Sequence, residues 1–341
     1  MSRNYLVTGG AGFIGSNFVH RLLERGETVT VYDNLSRAGA PRNLKWLNET
    51  WGEKAFTLVQ ADVRDAARLA ETAKTADVIV HLAAQVAVTT SVTDPRDDFE
   101  INAQGTFNVV EAARLSGRKP TLIYASTNKV YGGMDDVEVV EDATRWRYKD
   151  LPFGAAETQP LDFHSPYGCS KGTGDQYVRD YARIYDLPTV VMRQSCIYGP
   201  RQFGVEDQGW VAWFIIAAVT GRPMSIYGDG KQVRDLLYVY DLLDAYDAAI
   251  RDIDTVKGEV FNLGGGPENV LSVWAEFGPM LEKLLGHPLP VGRGDWRPGD
   301  QKVFVADIRK AEKVLNWKPK FSVEAGVKEL FDWVSANRGL F

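Results

Sequence analysis

The chain has 341 residues, more than one hydrophobic core normally spans, so two lobes are expected. Its 45% hydrophobic and 25% charged residues place it among ordinary globular proteins. A net charge of -6 argues against a nucleic-acid or anionic-membrane surface, so an anionic ligand must be gripped by a few placed arginines or helix ends.

Along the first half, short apolar runs alternate with helical patterns. "NYLVTG" (4–9), "TVTVYD" (28–33), "FTLVQAD" (56–62), "DVIVHLA" (77–83), "TLIYAS" (121–126) and "TVVMRQ" (189–194) read as strands buried on both faces. Helical patterns run over 12–26, 94–117 and 165–186. This alternation specifies an α/β protein, a doubly wound parallel sheet of the Rossmann type with right-handed crossovers. After about Arg193 the pattern loosens into turn-rich stretches, with helices expected over 272–286 and 323–337 and a strand in "GEVFNLG" (258–264). The expected division is a dinucleotide-binding domain over 1–193, with a returning segment at about 231–264. Residues 194–230 and 265–341 then form a smaller mixed α/β C-terminal lobe for substrate. No repeat or low-complexity linker interrupts it.

The first run already reads as a strand, leaving no room for a leader, and the longest apolar run, "WVAWFIIAAV", is half a membrane span. Cys169 and Cys196 provide no disulfide framework, and His20, His81, His164 and His287 have no metal-ligand spacing. A cytoplasmic protein with no membrane, nucleic-acid or metal partner is expected.

"LVTGGAGFIGSNF" puts Gly9, Gly12 and Gly15 between a strand and a helix. Glycine suits a tight turn, a close approach to pyrophosphate, and helix-on-sheet packing, while the helix N-terminus offers open N–H groups to the anion. Asp33, ending the second strand, suits a ribose 2′-hydroxyl and repels a 2′-phosphate, which favours NAD over NADP, although Arg37 lies close by. Asp62, ending the third strand, meets the adenine or caps a turn.

Two Tyr-x-x-x-Lys pairs occur, Tyr167/Lys171 and Tyr227/Lys231. With 14 tyrosines in the chain, about one such pair arises by chance, so position must decide. Tyr167 and Lys171 open a helix after the fifth strand and share one face, whereas Tyr227 and Lys231 flank the turn "GDG". Thr127 follows the fifth strand, at the carboxyl edge where such sheets bind ligand. Removing a hydride from a carbinol carbon requires its hydroxyl proton to leave as well. A free phenol, with a pKa of about 10, is a poor base, so the Lys171 ammonium and a cationic nicotinamide are expected to draw Tyr167 towards phenolate.

Taken together, the glycine fingerprint, Asp33, "HLAAQ", Thr127, "YGCSK" and "KQVRDLLYV" resemble the extended short-chain dehydrogenase/reductase family of nucleotide-sugar enzymes along nearly the whole chain. "VYDNLSRAGAPRNLKWL", "LDFHSPYGCSKG" and "DQGWVAWF" are similar to the branch that inverts C2 of a CDP-activated deoxyhexose through a transient 2-keto sugar. The resemblance implies tightly held, recycled NAD, a CDP-sugar substrate and a homo-oligomer, dimer or tetramer. It implies catalysis by Thr127, Tyr167 and Lys171. For the cofactor it adds Phe13, Ile14, Asn34, Ser36, Arg37, Asp62, Val63, Leu82, Ala83, Ala84, Gln85 and Asn102 to the three glycines, Asp33, Tyr167 and Lys171. For the substrate it implies Thr89, Thr127, Asn128, Gln208, Gly209, Arg234, Arg297 and Asp300, the two arginines on the diphosphate and Asp300 near the ribose. Surface ion pairs remain the other reading of the arginines, and helix capping that of Thr89.

Two departures from neighbouring branches matter. Asn128 and Lys129 stand where the 4,6-dehydratases carry an Asp-Glu pair, and Cys196 where 4-epimerases usually carry an Asn. A 4-epimerase or a reductase on the same scaffold is the alternative, and a non-catalytic NAD-binding regulator a further one.

Overall fold

Strands rich in β-branched residues, covered on both faces by helices, become nearly continuous apolar runs. The computed structural model, which describes residues 2–296 and 300–341, shows this in β1 (Asn4–Thr8), β2 (Thr28–Asp33), β3 (Thr57–Gln60), β4 (Val78–His81) and β5 (Thr121–Thr127). Their parallel sheet runs β3, β2, β1, β4, β5, then Thr189–Gln194, then Val260–Leu263. The order reverses between β1 and β4, the switch point where such sheets bind ligand. Leu6, Ile79, Leu122 and Val191 bring the core together across four of these strands.

β3 is shorter than the run 56–62 and is not buried on both faces. It lies at the sheet's edge, so Leu58 faces outward and Val59 inward. The expected helix over 94–117 is three pieces: Pro95–Phe99, a π-helical turn Glu100–Gln104, and Gly105–Leu115. The helix expected over 272–286 begins only at Phe277, because Val270–Ser272 pairs as a strand with Val233–Tyr238.

The chain groups into two units. The first comprises the chain up to Val130, Phe163–Arg193 and Leu243–Phe261; the second comprises Tyr131–Asp162, Gln194–Leu242 and Asn262–Phe341. Thus 131–162 leaves the first unit, and the returning segment starts near 243, not 231. The reason is local: Val139–Glu141 and Trp146–Tyr148 form a hairpin whose Tyr148 hydroxyl donates to the Val303 carbonyl at 3.1 Å. Within the second unit, Val233–Tyr238 pairs with Cys196–Tyr198, Val270–Ser272 and Val303–Phe304, over a core of Phe214, Ile215, Trp274, Phe277 and Leu330. Among the described residues no helix is long and apolar enough to cross a membrane.

Candidate active site

The glycine loop forms a close-packed cradle at the end of β1. Gly9 has φ +69° and lies against the next loop, where a Cβ would come within 2.7 Å of the Ala83 nitrogen. At Gly15 a Cβ would collide with the Gly9 carbonyl oxygen, so the helix Phe13–Glu24 can sit this close to the turn only with glycine. That helix starts at Gly12 with no side-chain cap, leaving its first N–H groups open to an anion. Asp33 accepts hydrogen bonds from the Ala11 nitrogen at 3.0 Å and the Leu35 nitrogen at 2.8 Å, and burial pushes its carboxyl up. The residues present fit NAD.

The other cofactor candidates divide. Asn34, Ser36 and Arg37 are exposed beyond β2, while Phe13, Ile14, Leu82, Ala83 and Ala84 are half-buried around the cradle. Asp62 is committed to its neighbours: Asn34 Nδ2 donates to it at 2.9 Å, and Arg64, bonded through side chain and backbone, holds its carboxyl down to about 2. The Val63 side chain belongs to the core. Asn102 is engaged by the protein itself, accepting from the Gln85 nitrogen at 2.9 Å and donating to the Gln85 carbonyl and to Asp98, both at 3.0 Å.

The structure brings Thr127, Tyr167 and Lys171 together. Tyr167 and Lys171 are buried on one turn of the helix Ser165–Tyr185, with Pro166 at its start and Thr127 ending β5. A hydrogen bond from Thr127 favours the Tyr167 phenolate, but burial dominates and pushes the phenol up to about 12. Lys171 is brought down to about 7 by burial, against the charges of Asp175 and Asp98. The expectation that Lys171 lowers Tyr167 is therefore not met in the protein alone. The ammonium is turned elsewhere, donating to the Ala125 carbonyl at 2.6 Å and lying 4.3 Å over the Tyr124 ring. Asn128 accepts from the Thr127 hydroxyl at 3.3 Å. Thr89 is exposed on the short helix Val88–Thr93, which no side chain caps.

Several polar neighbours of these residues escaped the sequence reading. Ser126 and Arg193 both donate to Asp175, at 2.7 and 2.9 Å, and Ser91 accepts from the Tyr167 nitrogen at 3.2 Å. Asp175 was findable, standing four residues beyond Lys171 on the same face; Ser91 and Asp98 carry no sequence signal.

In the second unit, Arg234 is buried and donates to Asp300 at 2.7 Å and to the Val233 carbonyl at 2.8 Å, so the two substrate candidates are paired with each other. Gln208 exchanges backbone hydrogen bonds with Val205, and Gly209, at φ +77°, starts the helix Trp210–Thr220. Arg297 lies outside the described residues. The twin pair separates: Tyr227 donates to Glu206 at 2.9 Å and Lys231 to Glu141 at 2.8 Å. Among the described residues no group of His, Cys, Asp and Glu could hold a metal ion.

A doubly wound sheet carrying a dinucleotide cradle and a buried Tyr-Lys turn defines a dinucleotide-dependent, dehydrogenase-like scaffold, and the chain belongs to the NAD dependent epimerase/dehydratase family, which residues 5–264 match. NAD is its cofactor. The chain is 45% identical over 339 residues to a CDP-paratose 2-epimerase from Salmonella typhi, covering 97% of this chain and 99% of that one. Among solved structures it is similar to a dTDP-glucose 4,6-dehydratase from Streptomyces venezuelae with NAD bound, with TM-score 0.85, 30% identity and coverage of 99% and 98%. A UDP-glucose 4-epimerase from Thermus thermophilus in complex with NAD gives TM-score 0.81, 31% identity and coverage of 98% and 99%.

Proposed function

We propose that this protein is an isomerase that inverts C2 of a CDP-activated deoxyhexose of the CDP-paratose/CDP-tyvelose type through a transient 2-keto sugar. The observation that carries this reading is the buried Thr127–Tyr167–Lys171 group in a chain so similar, end to end, to the Salmonella typhi enzyme. NAD, when bound, would supply the hydride acceptor and donor for C2 and a positive ring that favours the Tyr167 phenolate. Tyr167 removes the C2 hydroxyl proton and later gives it back, with Thr127 holding the same oxygen. Lys171 would hold the cofactor ribose and supply positive charge behind the phenol. Asp33 would take the adenosine ribose, and the open N–H groups after Gly12 the pyrophosphate. Arg234, together with Arg297, would grip the substrate diphosphate through forked, charge-assisted hydrogen bonds, with Asp300 near the nucleotide ribose. Turning the keto sugar about its bond to the diphosphate presents the other face for reduction, and no net redox occurs.

Neither Cys169 nor Cys196 is in a disulfide, which suits a reducing cytoplasm. Phe107, Tyr177, Leu115 and Ile184 leave an exposed apolar face on the helices Gly105–Leu115 and Ser165–Tyr185, which supports a homo-oligomer, dimer or tetramer.

The test is incubation of purified protein with CDP- and UDP-sugars, resolving C2 from C4 epimers, with bound nicotinamide measured on the same sample. C2 inversion with copurifying NAD is expected. Because Asn128 and Lys129 offer no carboxylates for water elimination, no 4-keto-6-deoxy sugar should form. C4 inversion, or a need for NADH stoichiometric with product, would overturn the reading.

A further inference from the structure

Asp98 has no exposed surface, although its short helix Pro95–Phe99 reads in sequence only as an acidic stretch. Its Oδ1 accepts from Gln85 Nε2 at 3.1 Å and from Asn102 Nδ2 at 3.0 Å, and its Oδ2 accepts from Ser170 Oγ at 2.5 Å. These donors come from three segments: the loop after β4, the π-helical turn, and the helix that carries Tyr167 and Lys171. Both amide oxygens are occupied elsewhere, Gln85 Oε1 by the Ala87 nitrogen at 2.5 Å and Asn102 Oδ1 by the Gln85 nitrogen at 2.9 Å. Burial pushes the Asp98 carboxyl up, but the two NH2 groups and the hydroxyl that face it, with the Lys171 charge, work against that and favour the ionised carboxylate. Ser170 lies between Tyr167 and Lys171 and is also within 3.2 Å of the Tyr167 carbonyl.

We propose that Asp98 is a positioning residue of this site: an ionised carboxylate that pins the Tyr167–Lys171 turn to the loop after β4 and keeps Lys171 protonated. The elements packed on this turn leave few other charges to do so. Asp175, on the same helix, bears on Lys171 more strongly than Asp98 does, but it is bound to Arg193 and does not bear on Tyr167. β4 offers His81, held neutral by burial at about 3, and β5 offers Tyr124, held protonated by burial. The helix Val88–Thr93 has no charged side chain, and Glu100 of the π-helical turn is paired with Arg64 and Arg96. Glu111 and Arg114, on Gly105–Leu115, pair with each other beside Tyr181. Asp98 is therefore the carboxylate without a guanidinium or ammonium partner of its own that bears on both Tyr167 and Lys171, raising each.

The test reads Lys171 directly, by pH titration of the lysine ε-carbon NMR signals of the NAD-loaded protein, with the resonance assigned through Lys171→Met. Asp98→Asn should lower the Lys171 midpoint by about one unit or more, the usual effect of losing a nearby opposite charge. Ser170→Ala, which keeps the charge, should leave it within a few tenths of a unit. Asp98→Ser removes the charge with a smaller group and gives the same reading if the asparagine variant does not fold. An unchanged midpoint on charge removal overturns the proposal, as does a neutral Asp98 at pH 7 in the wild-type carboxyl carbon spectrum. The kinetic arm rests on the epimerase reading: both limbs of the kcat/KM profile should move to lower pH in Asp98→Asn, which a purely structural role would not cause. Absence of C2 epimerisation by the wild type would sink that reading while the titration still decides this one.

Discussion

Tyr167 and Tyr227 differ in what surrounds them more than in what precedes a lysine. Tyr167 is buried beside Thr127, whereas Tyr227 ends a short strand and bonds an exposed glutamate. Tyr167→Phe should keep fold and NAD but lose about 10²–10⁴ in turnover, the usual share of a positioned acid-base group. Tyr227→Phe should cost about 1 kcal/mol at most, one local hydrogen bond. C2-epimerisation assays on both variants, with bound NAD measured, check this; equal turnover in Tyr167→Phe and wild type would make the helix pair accidental. A second residue prediction concerns His81, whose Nδ1 and Nε2 lie 2.7 and 3.0 Å from the Thr8 and Thr106 hydroxyls. Its folded pKa of about 3 lies below the ordinary 6.5, so between these values the unfolded chain binds more protons. Stability linked to neutral His81 is present above about pH 6.5 and lost as pH falls towards 3. The melting temperature of wild type should fall faster than that of His81→Gln over this range; parallel curves would show that His81 does not titrate on unfolding.

Gly15 shows how an element depends on one missing methyl group. The Cβ of Gly15→Ala would meet the Gly9 carbonyl, so helix and turn must part. We expect a loss of about 1–3 kcal/mol, as for overpacked cores, together with loss of copurifying NAD. Urea denaturation and nicotinamide content measure the two effects, and full NAD retention would show that the cradle tolerates a side chain. The glycine loop and the Tyr167 helix were legible in the sequence because their signals are local: glycine spacing after a strand, and a continuous helical pattern over 165–186. The π-helical turn at Glu100–Gln104 was not, because one extra residue per turn hides inside a continuous apolar period. The carboxylate of Asp98 was illegible for another reason: its partners Gln85 and Ser170 are distant in sequence, and only the fold brings them to it.

At the scale of the whole molecule, the alternation of strands and helices foretold the sheet, but not that 131–162 joins the second unit. That segment's strands are three residues each, pair with each other, and are tied to the second unit by contacts far along the chain such as Tyr148 to Val303. The apolar face of the Gly105–Leu115 and Ser165–Tyr185 helices predicts self-association. Ile184→Asp combined with Tyr177→Glu should reduce the oligomer to monomer by light scattering, and a monomeric wild type would contradict that. The central claim, that hydride leaves and returns to the same carbon of a CDP-sugar, is tested most directly with CDP-paratose deuterated at C2 in ordinary water. The account predicts the C2 epimer with deuterium retained at C2 and no added nicotinamide required. Deuterium lost to solvent, or an epimer inverted at C4, would contradict it.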